Sequence, residues 1–174
     1  MLPILLALAF IALIFVIVIA GRPAEFSVSR SANISAPPEK IFPHVNDLHQ
    51  WEAWSPWAKL DPGMKSTFSG AEAGAGAAMA WDGSNKVGAG QMTITESQPS
   101  ELIRMRLDFQ KPMQATNTVE FTFRPTGRQT VVTWSMAGKN SLMGKVFGLF
   151  MDFEKMCGGQ FEKGLASLKS VAEG

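Results

Sequence analysis

The sequence predicts an α+β domain in which a curved antiparallel sheet of about seven strands wraps around a long C-terminal helix. Short runs of alternating apolar and polar residues indicate the strands, and glycine and proline residues separate these runs. One long helical pattern follows the last strand, and an apolar transmembrane helix is predicted before the first. A sheet with one wet face has to cover its other face, and only the last helix is long enough to do so.

The first element is an uncharged apolar run from Leu2 to Ala20. A helix of this length reaches about 28 Å, close to the roughly 30 Å hydrocarbon core of a bilayer. A cleaved signal peptide would carry a basic start and a shorter apolar core, although Val18 and Ala20 fit a cleavage site. We therefore expect residues 1–21 to be a single-pass membrane anchor, with residues 2–20 in the lipid, and residues 22–174 to form one domain.

The basic residues after the apolar run bear on the side of the membrane that the domain faces. Arg22, Arg30 and Lys40 follow the run, and this excess of positive charge favours a cytoplasmic domain. Long domains cross membranes largely regardless of such charges. The sequence therefore leaves both sides open.

Composition excludes several classes of protein. The 16 basic and 15 acidic residues are interspersed and give a net charge of +1, so we expect no nucleic-acid partner. Cys157 is the only cysteine, which excludes an intrachain disulfide and a thiolate metal cluster. The chain contains ten Met, twelve Phe and five Trp but no Tyr. The chain thus favours large apolar side chains without a hydroxyl group, and Met adapts readily to irregular shapes.

The remaining elements follow in order along the chain. The first strand has its apolar residues at Phe26, Val28, Ala32 and Ile34. Pro38 suits the first turn of a short helix, and a second helical turn, from Asp47 to Trp54, leads into a tryptophan-rich loop. Further strands centre on residues 64–69, 77–81, 92–94, 103–109, 119–123 and 132–136. From Asn140 a continuous helical pattern runs to the end of the chain.

This order of elements resembles the SRPBCC superfamily, as do the stretches ISAPPEKIFPHVNDLHQWEAWSPW (Ile34 to Trp57) and WDGSNKVGAGQMTITE (Trp81 to Glu96). The nearest match is the polyketide cyclase/dehydrase and lipid-transport group, which has the helix-grip fold of START and pollen-allergen domains. The resemblance covers residues 25–172 and implies this fold. A membrane-anchored bacterial branch is the most similar form, which implies the bacterial inner membrane. The family has no universal catalytic set to carry over.

The candidate ligand-binding residues are large apolar side chains. If the strand residues point at the last helix, they line a chamber for a lipid or polyketide-like molecule, and simple core packing is the alternative for each. The resemblance places the tryptophan-rich loop near the cavity mouth, so Trp54 and Trp57 are either a lid or core, whereas Trp51 is expected in the core. The candidates are Trp54, Trp57, Met79, Trp81, Met92, Met105, Phe109, Phe121, Trp134, Met136, Phe150 and Phe153.

The sequence predicts no catalytic, metal or cofactor site. Gly74-Ala75-Gly76 and Gly88-Ala89-Gly90 lack the Lys-Ser/Thr of a phosphate loop and fit hairpin turns instead. No HExxH motif or His/Cys set indicates a metal. The candidate acid–base residues are His44, His49 and Glu96. The two histidines lie near Asp47 and Glu52, a spacing that is more typical of solvated surface residues.

Three hypotheses for function follow. The leading one is a membrane-tethered, non-enzymatic domain that binds a hydrophobic small molecule such as a lipid. The alternative is a cyclase or dehydrase acting on a polyketide-like chain, which needs a proton donor or acceptor inside the chamber. The third is an interaction or stress-response module with a filled interior. The sequence identifies no protein partner.

Overall fold

The computed structural model describes residues 2–147, 149 and 152–174, without the side chains of Leu2, Leu5, Met143 and Phe147. The strands are β1 (Glu25–Ile34), β2 (Lys65–Gly70), β3 (Ala77–Asp82), β4 (Ala89–Gln98), β5 (Leu102–Lys111), β6 (Ala115–Thr126) and β7 (Gln129–Lys139). The helices are α1 (Leu2–Ala20), α2 (Pro38–Asn46), α3 (Trp51–Trp54), α4 (Pro56–Leu60), α5 (Leu142–Phe147) and α6 (Phe153–Glu173). A 3₁₀ turn (Leu48–Gln50) joins α2 to α3.

All the strands described form one antiparallel sheet in the order β1-β7-β6-β5-β4-β3-β2. The first strand pairs with the last, so that Phe26 lies opposite Gly138 and Ile34 opposite Thr130. Helix α6 packs mainly on β1, and helices α2 to α4 cover the neighbouring part of the same face. This arrangement confirms the predicted α+β domain with a seven-stranded antiparallel sheet around a C-terminal helix.

The inner face of the sheet, defined here as the face turned toward α6, carries the apolar residues of the alternating runs. Successive side chains of a strand point to opposite faces, so each run places every second residue in the core. The buried inner-face residues are Val28, Ile34, Met92, Ile94, Ile103, Met105, Val119, Phe121, Phe123, Val132, Trp134 and Met136. The period-two pattern therefore predicts the inner face correctly.

The predicted continuous helix from Asn140 onward is wrong. Helix α5 ends at Phe147, and α6 begins at Phe153 after Asp152, whose backbone is not helical (φ −81°, ψ 90°). The Asp152 carboxylate accepts a hydrogen bond from the backbone N–H of Lys155 at 3.1 Å, which is the usual role of an N-cap residue. Apolar residues on both sides of the break keep a helical spacing, so periodicity alone does not reveal it.

Helix α1 spans the whole apolar run as one element of 19 residues. Its large described side chains are exposed, except for Ile19, which is buried. Among the residues that the structure describes, no helix is found that is both long and apolar enough to cross a membrane.

Two glycines of α6 allow close contact with the sheet and with α4. A Cβ on Gly164 would lie 2.7 Å from the Trp134 ring and 3.0 Å from Cδ of Pro56. A Cβ on Gly158 would overlap the guanidinium of Arg30. Both glycines therefore set how closely the helix approaches its neighbours.

We expect Gly164→Ala to lower the free energy of unfolding by about 1–3 kcal/mol, because neither the indole nor the proline ring can move away easily. Gly159→Ala in the same helix is the matched control, since a Cβ there has no atom within 4 Å. The control should instead stabilise the helix by about 0.5–1 kcal/mol. Chemical unfolding followed by circular dichroism measures both values, and equal effects would contradict the proposed close contact.

Candidate functional site

Six aromatic side chains pack against one another between α6, α3, α4 and the inner face. We call them the aromatic cluster: Trp51, Trp54, Trp57, Phe121, Trp134 and Phe161. The indole of Trp134 lies between two rings, 4.8 Å from Phe121 and 4.2 Å from Phe161 between ring centroids. The Phe161 ring is only 8° from parallel to the indole. Side chains therefore fill the space at this level of the fold.

The polar atoms of two tryptophans in the cluster are satisfied by backbone. Trp51 Nε1 donates to the carbonyl of Val45 at 2.9 Å, and Trp54 Nε1 donates to the carbonyl of His44 at 2.9 Å. Trp54 has no exposed surface, and Trp51 is also buried. Trp51 thus lies in the core as expected. Trp54 packs in the core too and lines neither cavity described below.

The described residues line two open surface cavities that bear on ligand binding. Cavity 1, of about 650 Å³, lies between β1, the segment after β7 and the start of α6. It is lined by Arg22, Pro23, Phe26, Ser27, Val28, Asn140, Gly144, Leu149, Asp152, Phe153 and Glu154. Cavity 2, of about 690 Å³, lies between the α3–α4 segment and strands β2 and β3. It is lined by Leu48, Trp51, Glu52, Ser55, Ala58, Lys59, Asp61, Pro62, Met64, Ser66, Phe68 and Met79.

The predicted ligand-binding residues are distributed over several environments. The buried ones are Trp54, Met92, Met105, Phe121, Trp134 and Met136. The half-buried ones are Trp57, Met79, Trp81 and Phe109. Met79 lines cavity 2, and Phe153 lines cavity 1, where it packs edge-on against Phe26 with 5.0 Å between ring centroids. Phe150 lies outside the described residues.

The structure does not bring these residues together into one chamber. Trp54, Trp57, Phe121 and Trp134 belong to the aromatic cluster, whereas Trp81 and Phe109 form a separate edge-on pair with 5.7 Å between ring centroids. The expected space beneath α6 is occupied, at the level of Trp134, by the rings of the cluster. The two cavities lie on either side of the aromatic cluster, because α6 covers β1 but leaves the β2–β3 end of the inner face partly open.

Sequence reasoning missed most of the residues that line the cavities. Phe26 was recognised only as a strand residue, although it lines cavity 1, and Leu48, Met64 and Phe68 line cavity 2. Phe68 and Met79 lie opposite each other in adjacent strands. Knowledge that β2 pairs with β3 would identify Phe68 and Met79 as neighbours, but the sequence alone does not predict this pairing.

One inner-face position carries a cation that the alternating pattern did not single out. The Arg30 side chain reaches α6, where Nη1 lies 2.7 Å from a Glu154 carboxylate oxygen and Nε donates to Glu162 at 2.6 Å. The hydrogen bonds that Arg30 donates to Glu154 and to Glu162 raise the pKa of its guanidinium, so it stays charged. This ion-pair group connects β1 to the first turns of α6 and borders cavity 1 through Glu154.

The candidate acid–base groups lie outside the aromatic cluster. His49 Nδ1 is 3.0 Å from Asp47 Oδ1, and the imidazole stacks on the Phe68 ring with 4.0 Å between centroids. Burial opposes ionisation of Asp47, yet hydrogen bonds from His49 and Gln50 outweigh it and lower the pKa of this carboxyl. The imidazole of His49 is 54% exposed, so the pair sits at the surface beside cavity 2.

Glu96 points away from the inner face. Its carboxylate pairs with Arg104, which also donates to Glu120 at 2.9 Å on the outer face of the sheet. Arg104 and Arg106 thus lie on the outer, solvent side of the sheet. Among the described residues, no group of three or more His, Cys, Asp or Glu side chains could hold a metal ion.

This geometry defines a helix-grip domain of the SRPBCC superfamily. The family model for "Polyketide cyclase / dehydrase and lipid transport" matches residues 25–173, and the chain belongs to this family. No curated protein matches the chain.

Solved structures of the same fold are distant in sequence. Protein CV1439 from Chromobacterium violaceum has a TM-score of 0.60 at 16% identity, covering 88% of this chain and 99% of that one. The Aha1 dimer from Colwellia psychrerythraea has a TM-score of 0.61 at 19% identity, covering 85% and 96%. The di-domain ARO/CYC BexL, from the BE-7585A biosynthetic pathway, has a TM-score of 0.63 at 13% identity, covering 91% of this chain and 53% of that one. At such identities the likeness shows the fold alone.

We expect Trp54→Ala to lower the free energy of unfolding by about 3–5 kcal/mol, because it opens a large gap in the aromatic cluster and leaves the His44 carbonyl unpaired. Trp57→Ala is the comparison, since its half-buried ring contacts Trp134 and Phe161 from one side. It should cause a smaller loss. Denaturant titration of both variants tests this order, and a Trp54→Ala variant as stable as the parent would contradict it.

The single cysteine provides a second test of the packing. Burial raises the pKa of the Cys157 thiol to about 11, with Arg30 acting in the opposite direction. The thiol therefore stays protonated at neutral pH and should react very slowly with a maleimide in the folded protein. Labelling should become fast on unfolding, where the thiol pKa returns to about 8.5. Rapid labelling of the folded protein at neutral pH would show that α6 does not cover this position.

Proposed function

We propose that the protein binds a hydrophobic small molecule, such as a lipid, on the inner face of its sheet. The observation that carries this proposal is cavity 2, whose volume of about 690 Å³ lies within the range of roughly 300–1,000 Å³ that is typical of ligand sites. Membership of a family described by polyketide cyclisation and lipid transport supports the same ligand chemistry.

The lining of cavity 2 suits an apolar ligand with a polar end. Leu48, Trp51 and Met79 contribute apolar surface on the core side. Each 100 Å² of apolar surface that a ligand removes from water contributes about 2.5 kcal/mol. Glu52, Lys59 and Asp61 line the same cavity and lie on α3, on α4 and just after α4. These charged groups would stay near water and face the polar end of the ligand.

The second part of the proposal rests on the sequence of α1, since no described helix was found that is long and apolar enough to cross a membrane. It is a tether: helix α1 holds the domain at a membrane. Its 19 residues carry no charge, and its large described side chains are 45–65% exposed apart from Ile19. A surface helix of a water-soluble domain would show one polar face, and this one has none. We propose the bacterial inner membrane as the location. The proposal does not assign the domain to one side of this membrane.

The cyclase or dehydrase alternative remains a prediction. It would have to use a group beside cavity 2, and the His49–Asp47 pair next to Phe68 is the His–carboxylate pair that the described residues offer there. Turnover of a polyketide-like chain that is lost in His49→Ala would favour this alternative over binding alone.

We expect Met79→Glu to reduce the amount of apolar ligand that co-purifies with the protein by about tenfold, because a carboxylate in the wall of cavity 2 is costly to cover with an apolar chain. Met113→Glu is the matched control, since Met113 is exposed in the β5–β6 turn and lines neither cavity. Native mass spectrometry of the detergent-extracted protein measures the bound fraction. Absence of any co-purifying apolar species from the parent protein, or an equal loss in both variants, would contradict the proposal.

The tether is tested by placing charge in the middle of α1. We expect the double variant Ile11→Asp, Ile14→Asp to leave the membrane fraction, because each charge at the centre of a membrane helix costs about 2.5–3.5 kcal/mol. Alkaline extraction of membranes followed by immunoblotting gives the retained fraction, with Met113→Glu again as the control for added charge. A double variant retained as fully as the control would exclude α1 as the anchor.

A further inference from the structure

One row of inner-face residues crosses the sheet from cavity 1 to cavity 2. The strand register gives this row, from β1 to β2, as Phe26, Gly138, Asn117, Leu107, Met92, Met79 and Phe68. Phe26 lines cavity 1, whereas Met79 and Phe68 line cavity 2. From β1 to β3 the row covers five inter-strand steps of about 4.8 Å, or roughly 24 Å along the sheet. The row is thus long enough for an extended acyl chain.

Asn117 is the one polar side chain in this row, and its amide oxygen lacks a partner. The residue is only 6% exposed, yet no described residue donates a hydrogen bond to Oδ1. The amide nitrogen lies 3.9 Å from the Met136 sulfur, which is a weak acceptor. A buried acceptor without a donor is unfavourable, and a ligand that supplies the donor removes this cost.

The Asn117 oxygen is buried close to the Phe26 ring, which lines cavity 1. The next residue of the row is Gly138, and a Cβ there would overlap Oδ1 of Asn117. The Phe26 ring, which lines cavity 1, lies on the other side of Gly138, 2.9 Å from the same Cβ position. No side chain of the row therefore separates the Phe26 ring from the amide oxygen. A ligand group in cavity 1 that displaces the Phe26 ring would therefore reach the Asn117 oxygen.

We propose that the ligand is an elongated lipid with a hydroxyl group part-way along its apolar chain, and that this hydroxyl donates a hydrogen bond to Oδ1 of Asn117. The inference rests on the proposed function, namely binding of a hydrophobic molecule at the inner face. A hydroxyl matches the free acceptor and adds no charge, whereas a carboxylate or an ammonium group would be costly to bury at this position. Leu107 and Met92 continue the row on one side with apolar surface, and Phe26 does so on the other.

The methionines next to Asn117 give the row the flexibility that such a ligand requires. Met92 lies two strands from Asn117 in the same row, and Met136 touches the Asn117 amide nitrogen. An unbranched thioether side chain changes conformation at little cost and adapts its shape to a neighbour. Passage of a chain between the two cavities would use movement of these side chains and of the Phe26 ring.

The experiment compares two fatty acids that differ by one hydroxyl. Ricinoleic acid and oleic acid have the same chain length and one double bond each, and only ricinoleic acid carries a hydroxyl near the middle of the chain. The full-length protein in detergent is incubated with an equimolar mixture, and native mass spectrometry gives the ratio of the two bound species. We expect ricinoleic acid to be bound roughly fivefold more than oleic acid, as one neutral hydrogen bond provides.

Variants at the row identify the residue responsible. Asn117→Leu removes the acceptor and should bring the ratio to one while oleic acid still binds. Asn117→Thr keeps an oxygen acceptor and should keep a preference for ricinoleic acid. Thr118→Val is the matched control, because Thr118 is the next residue in β6, points to the outer face and is exposed. Should Asn117→Leu fail to fold, Gly138→Ala serves instead, since its Cβ displaces the amide oxygen and should lower the ratio.

The outcomes separate this inference from the proposed function. A ratio of one in the parent protein, or a preference that Asn117→Leu leaves unchanged, would overturn the role of Asn117 while binding itself stands. If neither fatty acid binds the parent protein, both the inference and the proposed function fail. A preference lost in Asn117→Leu and kept in Thr118→Val supports the assignment of a hydroxylated lipid.

Discussion

The contact between α6 and the indole of Trp134 is the constraint on which the rest of the domain depends. Trp134 stacks on Phe161 with 4.2 Å between ring centroids, and Gly164 lets the helix backbone approach the same ring. This contact fixes α6 over β1 and β7, and the rings of Trp54 and Trp57 then close the space beside it. The remaining inner face, toward β2 and β3, is left with less cover, and cavity 2 lies there.

The position of the cavities follows from how a single helix covers a seven-stranded sheet. Helix α6 has 21 residues and lies mainly on β1, so it cannot also cover the distant strands. Together with the short helices α2 to α4, it leaves the inner face covered as far as Met105 in β5 and Ile94 in β4, which are buried. Half-buried apolar side chains such as Met79 and Leu107 are the consequence. A hydrophobic ligand would complete this cover, which is the physical basis of the proposed function.

Much of the fold could be predicted from the sequence because strands repeat every two residues. Phe121 and Trp134 alternate with polar neighbours and lie on the inner face as expected. The break between α5 and α6 could not be predicted in this way, because Asp152 caps α6 without disturbing the apolar spacing. Capping depends on the hydrogen bond that the backbone N–H of Lys155 donates to the Asp152 carboxylate, and the apolar periodicity carries no information about this bond.

The site was harder to predict than the fold because alternation assigns a residue to a face but not to a cavity. Trp54 and Met79 are both large apolar residues, yet Trp54 packs among other rings and Met79 borders open space. Asn117 follows the same alternation as its apolar neighbours, but composition gave no reason to single it out. The strand register singles out Asn117 instead, because it places this residue between Gly138 and Leu107 in the inner-face row.

The fit between Arg30 and Gly158 has a consequence for related sequences. The guanidinium occupies the volume that a side chain at position 158 would need, and it pairs there with Glu154 and Glu162. Homologues with a larger residue at position 158 should therefore carry a shorter, uncharged residue at position 30. Such sequences should also lose the acidic pair on the helix, so that all four positions vary together during evolution.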